Sequence, residues 1–75
     1  MKIILNGKEI EVEAEDRISY ERIIDLAGYS PGRIVSVTFH KRIDAETEKQ
    51  GILYPGKDAP LLDGMVINAM VTGNA

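Results

Sequence analysis

Apolar and charged residues alternate over the first fourteen positions. Met1, Ile3 and Leu5 fall on one side of an extended chain, and Ile10, Val12 and Ala14 alternate with Glu9, Glu11 and Glu13, which predicts two half-buried strands. Asn6-Gly7 stands between them. Both residues tolerate the positive φ that the favoured two-residue hairpin turn demands, so the two strands should form a hairpin. The period then lengthens. Tyr20, Ile23, Ile24 and Ala27 recur at helical spacing, and Leu26 widens the stripe. Ser19 suits the N-cap, and Ile18 and Ile23 flank it at the spacing of a hydrophobic staple. Gly28 can close the helix in the left-handed conformation, and Pro31 prevents its resumption. Such a helix is only about 12 to 14 Å long and must be held by tertiary packing.

Alternation returns at residues 34–39, with Val35, Val37 and Phe39 on one face and Ser36 and Thr38 on the other. Residues 40–50 carry mixed charges and little apolar content, which predicts a solvated hairpin loop. Residues 51–54 read as a short strand ended by Pro55-Gly56, a pair suited to a type II turn. Leu61 and Leu62 should return to the core before Asp63-Gly64 turns the chain into a last strand over 65–72, leaving 73–75 beyond it.

One helix between the second and third strands, in a chain too small for helices on both faces, implies an α+β fold. It should have a mixed sheet of four to five strands with the helix packed across one face, the β-grasp architecture. A ferredoxin-like arrangement would need a second helix within 55–64, where two prolines and two glycines stand. The expected core is Ile3, Leu5, Ile10, Val12, Ile23, Ile24, Val35, Val37, Phe39, Ile67 and Ala69. In β-grasp order the first strand and the strand after the helix flank the last. Ile4, Ser36, Thr38, Val66, Asn68 and Met70 then share the face turned away from the helix. Ile4, Val66 and Met70 would make an apolar spot there, although a few exposed aliphatic residues are ordinary on any protein surface.

Composition narrows the function classes. The 75 residues make one domain that buries only about 60% of its unfolded surface. Without cysteine there is neither a disulfide framework nor a thiolate metal site, a composition suited to a reducing cytosol. No signal-peptide core or spanning run is present, so a cytoplasmic monomer without membrane contact is expected. The net charge is −3 and the basic residues are scattered, which argues against nucleic acid. One histidine (His40) and serines only at 19, 30 and 36 supply no nucleophile and base that the predicted elements would bring together. The expectation is a non-enzyme without cofactor or metal. Glu9, Glu11 and Glu13 read as a solvated strand face, and Glu15 and Asp16 as favourable charge near the helix N-terminus.

The order and spacing of four stretches add a resemblance. Ser19-Tyr-Glu-Arg-Ile-Ile-Asp-Leu-Ala-Gly28, a Val-x-Val strand, Gly51-Ile-Leu-Tyr-Pro-Gly56 and Asp63-Gly-Met-Val-Ile-Asn68 together resemble the bacterial ubiquitin-like domains called multiubiquitin domains. The similarity covers nearly the whole chain, here as a single copy. It implies a ubiquitin-like protein modifier in a bacterial ubiquitination-like pathway, with an activating enzyme, a conjugating enzyme, a processing peptidase and target proteins as partners. The matching functional position is Gly73. The sequence departs from the ubiquitin pattern in lacking a diglycine and in carrying Asn74-Ala75 after the glycine. The implied division is a domain over 1–73 and an extension over 74–75 that a peptidase removes. Two other readings stay open: a non-conjugated module that binds partners through the sheet face, and a sulfur carrier, which normally ends in a free diglycine. On the residues alone, 73–75 is a frayed terminus.

Overall fold

The computed structural model describes residues 1–30 and 33–74; Pro31, expected to stop the helix, and Ala75 of the expected extension lie outside them. The elements are β1 (Lys2–Leu5), β2 (Lys8–Glu11), β3 (Arg17–Ser19), α1 (Tyr20–Ala27), β4 (Arg33–Arg42), β5 (Glu48–Leu53), β6 (Asp58–Pro60) and β7 (Val66–Asn74). Five strands form one mixed sheet in the order β2-β1-β7-β4-β5. β1 and β7 run parallel at its centre, and every other neighbouring pair is antiparallel. With α1 packed across one face, this is an α+β β-grasp fold.

Local chemistry explains the elements. Asn6 (φ 52°) and Gly7 (φ 79°) make the β1–β2 turn, the left-handed pair that matches the twist of a hairpin. The Ser19 hydroxyl accepts from the Arg22 backbone N–H at 3.0 Å and opens α1. At the other end Gly28 is left-handed, its N–H donates to the Asp25 carbonyl, and the Tyr29 N–H donates to the Ile24 carbonyl. Those two bonds form a Schellman closure.

The core gathers between sheet and helix. Ile3, Leu5, Ile23, Val35, Val37, Ile67 and Ala69 are buried there as expected, joined by Ile18, Tyr20, Leu53, Ala59, Leu61 and Met65. Ile10, Val12, Ile24 and Phe39, also expected inside, pack against its margin half-exposed. Three lie where cover runs out: β2 is an edge strand ending at Glu11, which leaves Ile10 and Val12 beside solvent, and Ile24 lies on the flank of α1. The buried phenol of Tyr20 donates to the Val35 carbonyl at 3.3 Å, and among the described residues no buried side-chain nitrogen or oxygen lacks a hydrogen-bond partner.

Four segments differ from the sequence expectation. Residues 40–50 are mostly strand, because β4 and β5 stay paired from Val37↔Leu53 out to Arg42↔Glu48 and only 43–47 form the loop. That arm extends beyond most of the core, so much of its surface is solvated and its sequence carries no clear alternation. β3 and β6 form a second, two-stranded antiparallel sheet, Arg17↔Pro60 to Ser19↔Asp58, in segments where no strand was expected. Arg17 Nε meets the Asp58 carboxylate at 2.6 Å across that pair. β2 stops at Glu11, before Val12 and Ala14. Lastly, β7 continues past Thr72 through Asn74.

Candidate partner-binding face

Strand parity builds the face. In β4, Val35 and Val37 point into the core, so Ser36 and Thr38 point outward; in β7, Ile67 and Ala69 point inward and Val66, Asn68 and Met70 outward. The register pairs Ser36 with Met70, Thr38 with Asn68, and, across the parallel ladder, Ile4 with Val66. All six residues named from the sequence therefore lie on one face, opposite α1.

They do not form one apolar spot. Ile4 and Val66 are half-buried neighbours at one end. Met70 is 69% exposed and stands four residues along β7 from Val66, roughly 13 Å at strand rise. The polar pair Thr38 and Asn68 separates them. Two further exposed apolar residues lie on this face: Ile34, 53% exposed, towards the Met70 end, and Ile52, 57% exposed, beside the polar pair as the register partner of Thr38. Their signal was available in the sequence. Ile34 has the parity of Ser36 and Thr38, and of the adjacent Ile52 and Leu53 only one can enter the core. His40 joins the other end as the register partner of Val66.

Charges rim the Ile4 end in complementary pairs. Lys2 Nζ lies 3.0 Å from Glu9, and the N-terminal ammonium 3.2 Å from Glu11. The hydrogen bond that Lys2 donates to Glu9, with the charges of Glu9 and Glu11, raises the Lys2 pKa above the ordinary lysine value. Glu9 and Glu11 are thus engaged in ion pairs and not merely solvated.

The end of β7 changes phase. Ile34 pairs with Gly73 and Val35 with Val71, so Thr72 is left without a residue opposite it, a β-bulge. Its hydroxyl donates to the Ile34 carbonyl at 3.2 Å and bridges the interruption. Beyond it, Gly73 and Asn74 are paired with Ile34 and Arg33. Gly73 is therefore part of the sheet, where the sequence reading put it past the last strand.

Among the described residues, no group of three or more histidine, aspartate or glutamate side chains is gathered as metal ligands, and no helix is long and apolar enough to cross a membrane. No family model, curated protein or solved structure matches the chain.

Proposed function

We propose that this chain is a ubiquitin-like protein modifier that acts in the cytoplasm, in a bacterial ubiquitination-like pathway. The reading rests on the sequence resemblance and on one structural observation: β7 both forms the middle of the open face, through Val66, Asn68 and Met70, and runs directly on to Gly73. Enzymes that grip the face would have the reacting end of the same strand a few residues away.

The chemistry asks for a free carboxylate on a residue without a side chain, because that carboxylate is adenylated and then carried as an activated acyl group through a narrow site. In this proposal a peptidase cuts after Gly73 and releases Asn74-Ala75. The cut also removes the Arg33↔Asn74 pairing, leaving Gly73 attached beyond the bulge by its pairing with Ile34 alone. Freeing one such hydrogen-bonded residue costs about 1 kcal/mol, within easy reach of an enzyme that binds the extended tail. Processing would thus loosen the end as well as expose it.

Incubation with the cognate peptidase, activating and conjugating enzymes, followed by intact-mass analysis, tests this. A junction at Gly73 is expected, and a chain truncated at Gly73 should be adenylated without the peptidase. A conjugate retaining Asn74-Ala75 would sink the assignment. A second reading, a non-conjugated module that binds partners through the same face, is favoured by the pairing of Gly73 and Asn74 into the sheet. No adenylation of the truncated chain would select it.

A further inference from the structure

With one exception, charged residues directly opposite each other in the main sheet are of opposite sign. Lys2 stands opposite Glu11 and close to Glu9, and Arg42 opposite Glu48 with 3.9 Å between their charged groups. One pair breaks the pattern. Lys41 and Lys49 are register partners in β4 and β5, and like charges directly opposite each other are destabilising. Neither ammonium has a carboxylate within 4 Å among the described residues. By parity both lysines lie on the core side of the sheet, in line with Val37 and Phe39.

Beside them is a groove of about 320 Å³, floored by Phe39, Pro60 and Leu62 and edged by Lys41 and Lys49. Its floor is built by an omission. Gly51 is the register partner of Phe39, and a Cβ on Gly51 would lie 2.9 Å from the Phe39 ring. The ring therefore lies over the glycine backbone and presents an aromatic surface between the two strands. Glu48, also at the groove, already faces Arg42. β5 is the last strand of the sheet, so one side of its backbone is open to accept an extended chain.

We propose that this groove binds an extended acidic peptide segment of a partner protein, an apolar side chain seated on Phe39 and Leu62 and flanking carboxylates compensating Lys41 and Lys49. Each part answers an observation: the apolar floor takes the anchor, the unmatched lysines take the acids, and the free edge of β5 takes the backbone. A single-stranded nucleic acid fits less well, since a chain of net charge −3 offers it two lysines and one ring. The site lies on the opposite side of the sheet from the Met70 face, so it is independent of the proposed modifier function.

The test is an NMR titration of the full ¹⁵N-labelled chain with a blocked hexapeptide carrying two acidic residues on each side of a Leu-Phe pair. Saturable shifts are expected at the amides of Phe39, Lys41, Lys49 and Leu62, and not at Ile4 or Met70. The double variant K41Q/K49Q relieves a repulsion and should stay folded, with an unchanged spectrum elsewhere, yet bind about tenfold more weakly, the loss expected of two exposed ion pairs. The same peptide with lysines for its acids should not bind. No saturation at millimolar peptide, shifts confined to the Met70 face, unchanged affinity in the double variant, or tighter binding of a uridylate hexamer at the same amides would each overturn the proposal.

Discussion

The side-chain oxygen of Asn6 accepts a hydrogen bond from the backbone N–H of Ala69 at 2.8 Å, across 63 residues of sequence. β1 pairs with β7 at Ile4↔Val66 and Leu5↔Ile67, the Asn6 backbone N–H donates to the Ile67 carbonyl, and the Asn6 side chain extends that ladder by one further bond. The Tyr29 phenol completes the arrangement by donating to the Ala69 carbonyl at 2.9 Å. Asn6→Gly keeps the positive φ of the turn but leaves the Ala69 N–H unpaired, and should destabilise the fold by about 1 to 2 kcal/mol. Asn6→Asp keeps an acceptor and should lose less. Equal urea midpoints for Asn6→Gly and the parent chain would refute a stabilising role for this bond.

Ile23 is 1% exposed and belongs to the same core as Ile3, Val37, Met65 and Ile67. Ile23→Ala should cost roughly 2 to 5 kcal/mol, enough to unfold much of a marginal 75-residue domain at room temperature. Chemical denaturation followed by circular dichroism measures it, and an unchanged midpoint would be incompatible with this packing of α1.

Met70 contributes the opposite behaviour. At 69% exposure, Met70→Glu should change stability by less than about 0.5 kcal/mol. If the chain is the proposed modifier, its binding to an activating enzyme should nevertheless weaken, because a carboxylate would be desolvated in an apolar contact. Calorimetric affinity equal to that of the parent would remove Met70 from the binding surface.

The β4–β5 loop carries a pH dependence. One oxygen of Asp44 accepts from the backbone N–H groups of Glu46 and Thr47, each at 2.8 Å. The bond from Glu46 is the main cause of a pKa below the usual aspartate value, with smaller help from Thr47 and partial opposition from desolvation. A lowered folded-state pKa means the stabilisation is complete above the unfolded value, about 3.9, and is lost as pH falls through the folded value. Carboxyl chemical shifts against pH should place the Asp44 midpoint below the ordinary aspartate value, and Asp44→Asn should blunt the acid-induced loosening of residues 43–47. An Asp44 midpoint at or above the ordinary value would contradict the loop geometry.

What the sequence revealed divides along physical lines. The hairpin turn at Asn6-Gly7, the caps at Ser19 and Gly28 and the alternation around Val35 and Val37 were legible because each is a local preference. Strand parity also brought the six face residues together. The Ala69 contact of Asn6 was hidden, since no local rule says where a turn side chain will point after folding. β3 and β6 were hidden because three-residue strands are too short to show a period, and Pro60 argues against a strand except at a sheet edge. The outer arm of β4 and β5 was hidden because much of its surface is solvated. The spot expected from Ile4, Val66 and Met70 divided because residue parity assigns a face but not a distance along it.

The parallel pairing of β1 with β7 bears on how the protein responds to force. Tension applied between the start of β1 and the far end of β7 draws two parallel neighbours past each other, so the bonds between them are loaded together in shear. That contact is short, Ile4↔Val66 and Leu5↔Ile67, and the Asn6 side chain adds one more connection to the same seam. The eight register pairs of β4 with β7 include the far end of β7, where only Ile34↔Gly73 and Arg33↔Asn74 lie beyond the bulge, so that end is held by the fewest bonds. A chain drawn by its tail should first shed the residues beyond the Thr72 bulge and only then meet the shear-loaded seam, giving a small early extension before the main rupture in a single-molecule trace.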